Sequence, residues 1–296
     1  MAASERRCFV HIGLPKSGTS YLQSVFWQSQ QALAARGFAM LPTRRADHFT
    51  VALQLRGLLQ DFDNERAYRS LDRLRADAAR STAPTTLLSQ EALAPSTPSQ
   101  VAELLDSLAG HEVHVVVTAR DLARQVPSAW QQRIQARHTY TYPEFLDAVV
   151  SRAPLAQDFW VNQDLVDVLT RWQSHVPAER IHVVVTPPAH AHPGVLLERF
   201  CSVVGVDASL LDTNLPSSNV SLGHVQAELQ RRVNVALGDR FPHPRAGYGR
   251  LGKGYLAGRV LRPQGGARPM MPERLRAWCE ETTQQWIEHI GSGGYA

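Results

Sequence analysis

Cysteine is scarce in this chain: Cys8, Cys201 and Cys279 are odd in number and far apart. That excludes the disulfide framework of a small secreted domain and fits a reducing compartment. No apolar run approaches the roughly 18–20 residues that a bilayer-crossing helix needs. The opening MAASERRCFVHIGL contains no leader-type apolar core, because its short apolar stretch includes His11 and runs straight into a glycine turn. A soluble, cytoplasmic protein with no integral membrane segment is therefore expected. The excess of basic over acidic residues is small, 31 against 27, and it is spread along the chain. Without a basic patch interleaved with aromatics, no nucleic-acid partner is expected. A small polyanionic ligand accounts for the surplus, as does an excess of solvated arginines. Metal-ligand spacing is missing too: His190 and His192 form an H-x-H with no third ligand nearby, so no metal is expected. Internal repeats are not evident.

What the chain does contain is an ordinary globular composition, 44% apolar and 20% charged over 296 residues, enough for a sizeable core. Short β-rich runs alternate with helical stretches: CFVHIGL (8–14), FAML (38–41), TTLLS (85–89), VHVVVTA (113–119) and IHVVVT (181–186). Near-continuous apolar strands separated by helices predict a parallel sheet covered on both faces, an α/β fold. Helical spacing predicts a first helix starting at the glycine turn and stopping near Gly37. Further helices are predicted over 47–60, 64–80, 98–109, 128–137, 143–152, 161–175, 193–204, 221–237 and 272–290. The Gly-, Pro- and Arg-dense segment 239–271 reads as a long loop, either a lid or a connector. GSGGYA at 291–296 reads as a disordered tail. A single domain over 1–296 is expected, with a nucleotide-binding core at about 8–200 and C-terminal helices and loop at 205–290. Trp130, Trp160 and Trp172 are expected to be packing anchors, and His111 and His114 to sit at a strand's solvent edge.

The stretch HIGLPKSGTSYLQ, 11–23, has the outline of a phosphate-gripping loop. Gly13 and Gly18 have the spacing of the pattern G-x-x-x-x-G-K-[ST], but Thr19 stands where the lysine belongs and Lys16 lies inside the turn. A strand, a glycine turn and a helix start bring backbone N–H groups and a positive helix end to one spot, which is an anion site. Pro15 stiffens the turn, Gly18 allows close approach, and the hydroxyls of Ser17, Thr19 and Ser20 can donate to phosphate oxygens. Lys16 is placed to lie over an oxygen bridging two anionic groups.

LPKSGTSY resembles the 5′-phosphosulfate loop of PAPS-dependent sulfotransferases, soluble bacterial-type members in particular. In VVVTARDLARQVPSAW, Arg120 at a strand end is followed eight residues later by Ser128 at an expected helix start, which resembles the same family's 3′-phosphate segment. The resemblance implies a P-loop-like three-layer α/β/α fold with a central parallel sheet of about five strands. It implies PAPS (3′-phosphoadenosine 5′-phosphosulfate) as co-substrate and PAP (adenosine 3′,5′-bisphosphate) as product, with no metal. It places Lys16 against the phosphosulfate and the leaving phosphate, Tyr21 beside the adenine in place of the usual Trp, and Arg120 and Ser128 at the 3′-phosphate. The family's R-K-G-x-x-G-D-W element is absent as such. GRLGKGYLAG offers Arg250, Lys253 and Gly254 as a loose substitute.

In-line sulfuryl transfer to a hydroxyl needs a cation at the leaving oxygen and a base at the attacking one. Two candidates stand for the base. Glu91 follows the strand 85–89, and carboxyl ends of parallel strands face the ligand crevice. His48, after the second strand, titrates in a useful range. Position favours Glu91, whose carboxylate would need a raised pKa. The acceptor is a hydroxyl-bearing small molecule, glycan or lipid. Two other readings stand beside this one. The first is a P-loop kinase or NTPase, against which count the missing Walker lysine and the lack of a strand ending in a metal-binding Asp. The second is a nucleotide-binding regulatory protein without chemistry.

Overall fold

The structure is a computed structural model that describes residues 6–188, 190–192, 194–215, 221–241 and 243–296. Residue 193, the first of the helix expected over 193–204, lies outside the described residues. In chain order the regular elements begin with β1 (Arg6–Gly13), α1 (Thr19–Gln28), α2 (Gln30–Ala34), β2 (Phe38–Met40), α3 (Arg45–Leu55), α4 (Glu65–Tyr68), α5 (Ser70–Arg80) and β3 (Thr85–Ser89). They continue with α6 (Pro98–Ser107), β4 (His111–Ala119), α7 (Leu122–Gln135), α8 (Tyr142–Ser151), α9 (Gln157–Gln163), α10 (Leu165–Gln173) and β5 (Ile181–Val185). The last are α11 (Val195–Val204), α12 (His224–Leu237), a π-helix (Gly249–Leu261) and α13 (Arg276–Ser292). The chain divides into two compact units. The first is Met1–Arg120, Asn162–Pro216 and Gln285–Ala296; the second is Asp121–Val161 and Ser217–Gln284.

The first unit holds a sheet of five parallel strands in the order β2-β3-β1-β4-β5. All five strands coincide with the apolar runs read from the sequence; β1, β3 and β4, inside the sheet, are buried on both faces over most of their length and so carry little alternation, while the edge strand β5 leaves Val185 exposed. The connection from β1 to β2 runs in one direction across the sheet, and those from β2 to β3, β3 to β4 and β4 to β5 run in the other. Right-handed crossovers therefore put α1 on one face and α3, α5, α6 and α10 on the opposite one. On the first face Phe9, Leu87, Val116 and Val184 pack against Leu22, Val25 and Phe26 of α1 and Leu197, Phe200 and Cys201 of α11. On the other, Cys8, Val10, Ile12, Leu88, Val115 and Val117 are fully or almost fully buried. The result is a three-layer α/β/α sandwich whose strand order reverses at β1, the position at which such sheets open a crevice beyond their carboxyl ends.

Two expectations change in this unit. The tail is docked rather than free: the Ala296 N–H donates to the Ile181 carbonyl at 3.0 Å and its oxygen accepts from the Val183 N–H at 3.2 Å. The Tyr295 hydroxyl donates to Gln173 at 2.9 Å. These bonds use backbone groups that the edge strand β5 would otherwise present to water. His114 is also more enclosed than expected, stacked on His182 with ring centroids 5.2 Å apart.

In the second unit the expected loop 239–271 contains the π-helix. Apolar periodicity of 3.6 is absent there because the turn is wider, and glycines line it. A Cβ on Gly252 would stand 2.4 Å from the Tyr248 ring. The Tyr248 hydroxyl donates to Asn234 of α12 at 2.6 Å, and Gln230 donates to that hydroxyl at 3.0 Å and to the Gly252 carbonyl at 3.2 Å. The buried Gln230 amide thus satisfies one carbonyl of the irregular backbone. Trp130 and Trp160 are buried in this unit and Trp172 in the first, as packing anchors.

Candidate functional site

The loop after β1 is held from three sides. Its base is fixed by the Leu14 N–H, which donates to the Thr118 carbonyl of β4 at 2.7 Å. Gln163 donates to the Pro15 carbonyl at 3.0 Å, and Arg120 Nη1 donates to the Lys16 carbonyl at 3.0 Å. The Ser17 hydroxyl donates to the Leu14 carbonyl. Three successive carbonyls are thereby engaged by the protein itself. Lys16 adopts the left-handed region at φ 70°, a conformation that costs a non-glycine residue of order 1–3 kcal/mol and persists only when its surroundings over-determine it. Gly18, at φ 95°, stands at the N-cap of α1, where no side chain caps the helix. A Cβ there would lie 2.4 Å from Cδ2 of Leu196. Glycine is required at this position twice over, by its backbone angle and by the approach of α11. An uncapped helix start directs N–H donors and the positive end of its dipole to the same place.

Of the three hydroxyls expected to face an anion, that of Ser17 is turned inward and fully buried. Thr19 is buried as well, and Ser20 is exposed. Tyr21 is half-buried against the core shared by α1 and α11, where burial raises its phenol above the ordinary value. Half-buried Arg120 sits one residue past β4, on the strand neighbouring β1.

Glu91 stands just past the carboxyl end of β3, on the other side of β1. It is adjacent to the loop: a Cβ on Gly13 would lie 2.9 Å from that of Glu91. Gln23 of α1 donates to Glu91 Oε2 at 2.9 Å, which fixes one oxygen of a half-buried carboxylate. His48 is differently placed. It is 2% exposed, its Nε2 donates to the Pro42 carbonyl at 2.8 Å, and its Nδ1 accepts from the Ser89 N–H at 3.1 Å. Burial lowers its pKa to about 4. Both ring nitrogens are committed to the backbone.

Ser128 and Lys253 belong to the second unit. The helix expected to start at Ser128 starts at Leu122, with Asp121 as N-cap accepting from the Arg124 N–H at 2.9 Å. Pro127 is accommodated inside α7. The Ser128 hydroxyl donates to the Arg124 carbonyl at 3.0 Å, one turn back in the helix. Lys253 is an exposed residue of the π-helix.

Gln23, Gln163, Thr118 and His11 were not singled out from the sequence. Glutamines at these positions carry no motif, and Gln163 reaches the loop from far along the chain. His11, a polar residue inside an apolar strand next to the glycine turn, was a usable signal. Among the described residues no group of three or more His, Cys, Asp or Glu side chains could hold a metal ion, and no helix is long and apolar enough to cross a membrane.

Comparison with known proteins adds little. No family profile matches the chain, and no curated protein does. Among solved structures, a sulfotransferase from Alicyclobacillus acidocaldarius is similar at 18% sequence identity and a TM-score of 0.45, covering 79% of this chain and 94% of its own. Likeness at that level carries no functional weight.

Proposed function

We propose that the protein is a PAPS-dependent sulfotransferase that transfers a sulfuryl group to a hydroxyl acceptor and releases PAP. The observation that carries this reading is the arrangement around β1. Lys16 and the uncapped start of α1 stand at its carboxyl end, with Arg120 past the neighbouring strand on one side and Glu91 past the neighbouring strand on the other. Cationic and N–H groups at the loop suit the anionic donor, and a carboxylate beside the loop suits the attacking hydroxyl.

In this mechanism the acceptor oxygen attacks sulfur as the bond from sulfur to the bridging phosphate oxygen breaks in line. Lys16 stabilises the charge gathering on the departing oxygen. Glu91, held by Gln23, takes the acceptor's proton. His48 is the weaker candidate for that role, because its ring nitrogens are engaged by Pro42 and Ser89. Ser128 enters by resemblance alone, as does Lys253, and Ser128 would have to release the Arg124 carbonyl to donate elsewhere. A hydroxyl-bearing small molecule, glycan or lipid remains the acceptor class.

Turnover of PAPS with a panel of hydroxyl acceptors tests the assignment. Lys16→Ala and Glu91→Gln are each expected to lower kcat by about 100-fold or more, in line with the loss of a charge-stabilising or general-base group. His48→Ala is expected to lose stability and to keep most of its turnover per folded molecule. Wild-type rates in Glu91→Gln would remove the carboxylate from the mechanism.

A further inference from the structure

A file of buried polar side chains runs beneath the loop. His11 is fully buried in β1, with Nδ1 2.7 Å from the Ser89 hydroxyl of β3 and Nε2 3.2 Å from the Thr118 hydroxyl of β4. The Thr118 hydroxyl is in turn 2.5 Å from that of Ser17, whose proton goes to the Leu14 carbonyl. That last bond fixes every other direction, since each hydroxyl has one proton to give. Ser17 has given its proton to Leu14, so it accepts from Thr118. Thr118 has given its own, so it accepts from His11, which must then carry its proton on Nε2. Nδ1 is left to accept from Ser89. The Ser89 N–H meanwhile donates to His48, whose Nε2–H ends the line on the Pro42 carbonyl.

We propose that His11 is a positioning residue: it is the centre of a one-way hydrogen-bond relay, from Ser89 through His11, Thr118 and Ser17 to the Leu14 carbonyl, that sets the shape of the anion loop. The relay joins that loop to the end of β3, two residues before Glu91. Burying these groups is costly unless every one is bonded. Apolar side chains would fill the same space without that cost, so orientation is what the polar ones add. The imidazole also packs against Phe200 in an edge-to-face arrangement with ring centroids 4.9 Å apart, which steadies its orientation. Burial lowers the His11 pKa to about 3. It is a neutral connector at any working pH and neither takes nor gives the reaction's proton. Thr118 grips the loop twice, by its carbonyl on the Leu14 N–H and by its hydroxyl on Ser17.

The inference deepens the sulfotransferase reading and rests on it only for the identity of the ligand, so its test has readouts that need no nucleotide. Nitrogen-15 spectra of the imidazoles, assigned by loss of the His11 signals in His11→Gln, are expected to show the Nε2–H tautomer with a slowly exchanging proton. Thr118→Val removes the hydroxyl at constant shape. It is expected to speed amide exchange over residues 14–20 and to weaken PAP binding, each by about tenfold, the scale of one buried hydrogen bond and the group it leaves unpaired. Thr118→Ser, which restores the hydroxyl, is expected to return both to within about twofold of wild type. Thr86→Val removes a buried hydroxyl outside the relay and is expected to lower Tm with neither effect. An Nδ1–H tautomer, or a Thr118→Val protein whose loop exchanges as in wild type, would overturn the relay. Wild-type protein that ignores PAP would overturn the functional reading, with the tautomer and exchange data still deciding the relay.

Discussion

Gly18 carries two constraints in one residue, and they explain why the loop tolerates so little. A side chain there must occupy the left-handed region and displace Leu196. Gly18→Ala is expected to lose about 1–3 kcal/mol of unfolding free energy, read as a lower urea midpoint, and to lose anion affinity with it. An unchanged midpoint would contradict the geometry. The buried histidines make a second statement at this scale. Burial holds the folded pKa values of His11 and His48 at about 3 and about 4, below the ordinary imidazole value of 6.5. Between those values the unfolded chain binds protons that the native one refuses, so stability rises with pH across the window. It is complete above about pH 6.5 and falls as the pH drops, by up to about 1.4 kcal/mol per unit for each group. His111, His114, His138 and His182 are also lowered by burial and act with the same sign. Urea melts from pH 4 to 7 should show this slope, and His48→Gln should flatten it.

Among the elements, the strands were the most legible: β1, β3 and β4 are buried on both faces over most of their length and declare themselves by long apolar runs. The π-helix was the least: its hydrogen-bond period differs from 3.6, and its glycines imitate a loop. The start of α7, expected at Ser128, lies at Leu122, where Asp121 caps the helix and Pro127 is inside it. Gly252→Ala tests the π-helix directly. Its Cβ would meet the Tyr248 ring at 2.4 Å, which should break the bonds from Gln230 and to Asn234 and cost about 1–3 kcal/mol, the range for overpacking. A lowered Tm with reduced helical signal is expected; an unaltered Tm would mean the wide turn is not formed as described.

For the molecule as a whole, the sequence was enough for the α/β class and for the glycine turn between β1 and α1, since strand periodicity and glycine spacing are local. The side chains that hold the turn in place were not legible. Gln163 reaches the Pro15 carbonyl, and Thr118 reaches Ser17, across contacts between residues far apart in the chain. Nor did the sequence mark the commitment of both His48 ring nitrogens to the backbone of two other segments. The central claim is that a loop with its lysine inside the turn serves a nucleotide phosphorylated at both ends. Thermal shift with PAP, with ATP and Mg²⁺, and with neither tests it most directly. Ligand at about 100 times its Kd adds about 2.7 kcal/mol of stability, a rise in Tm of several degrees. The account predicts that rise with PAP, little or none with ATP and Mg²⁺, and its loss in Lys16→Ala; stabilisation by ATP and Mg²⁺ in preference to PAP would contradict it.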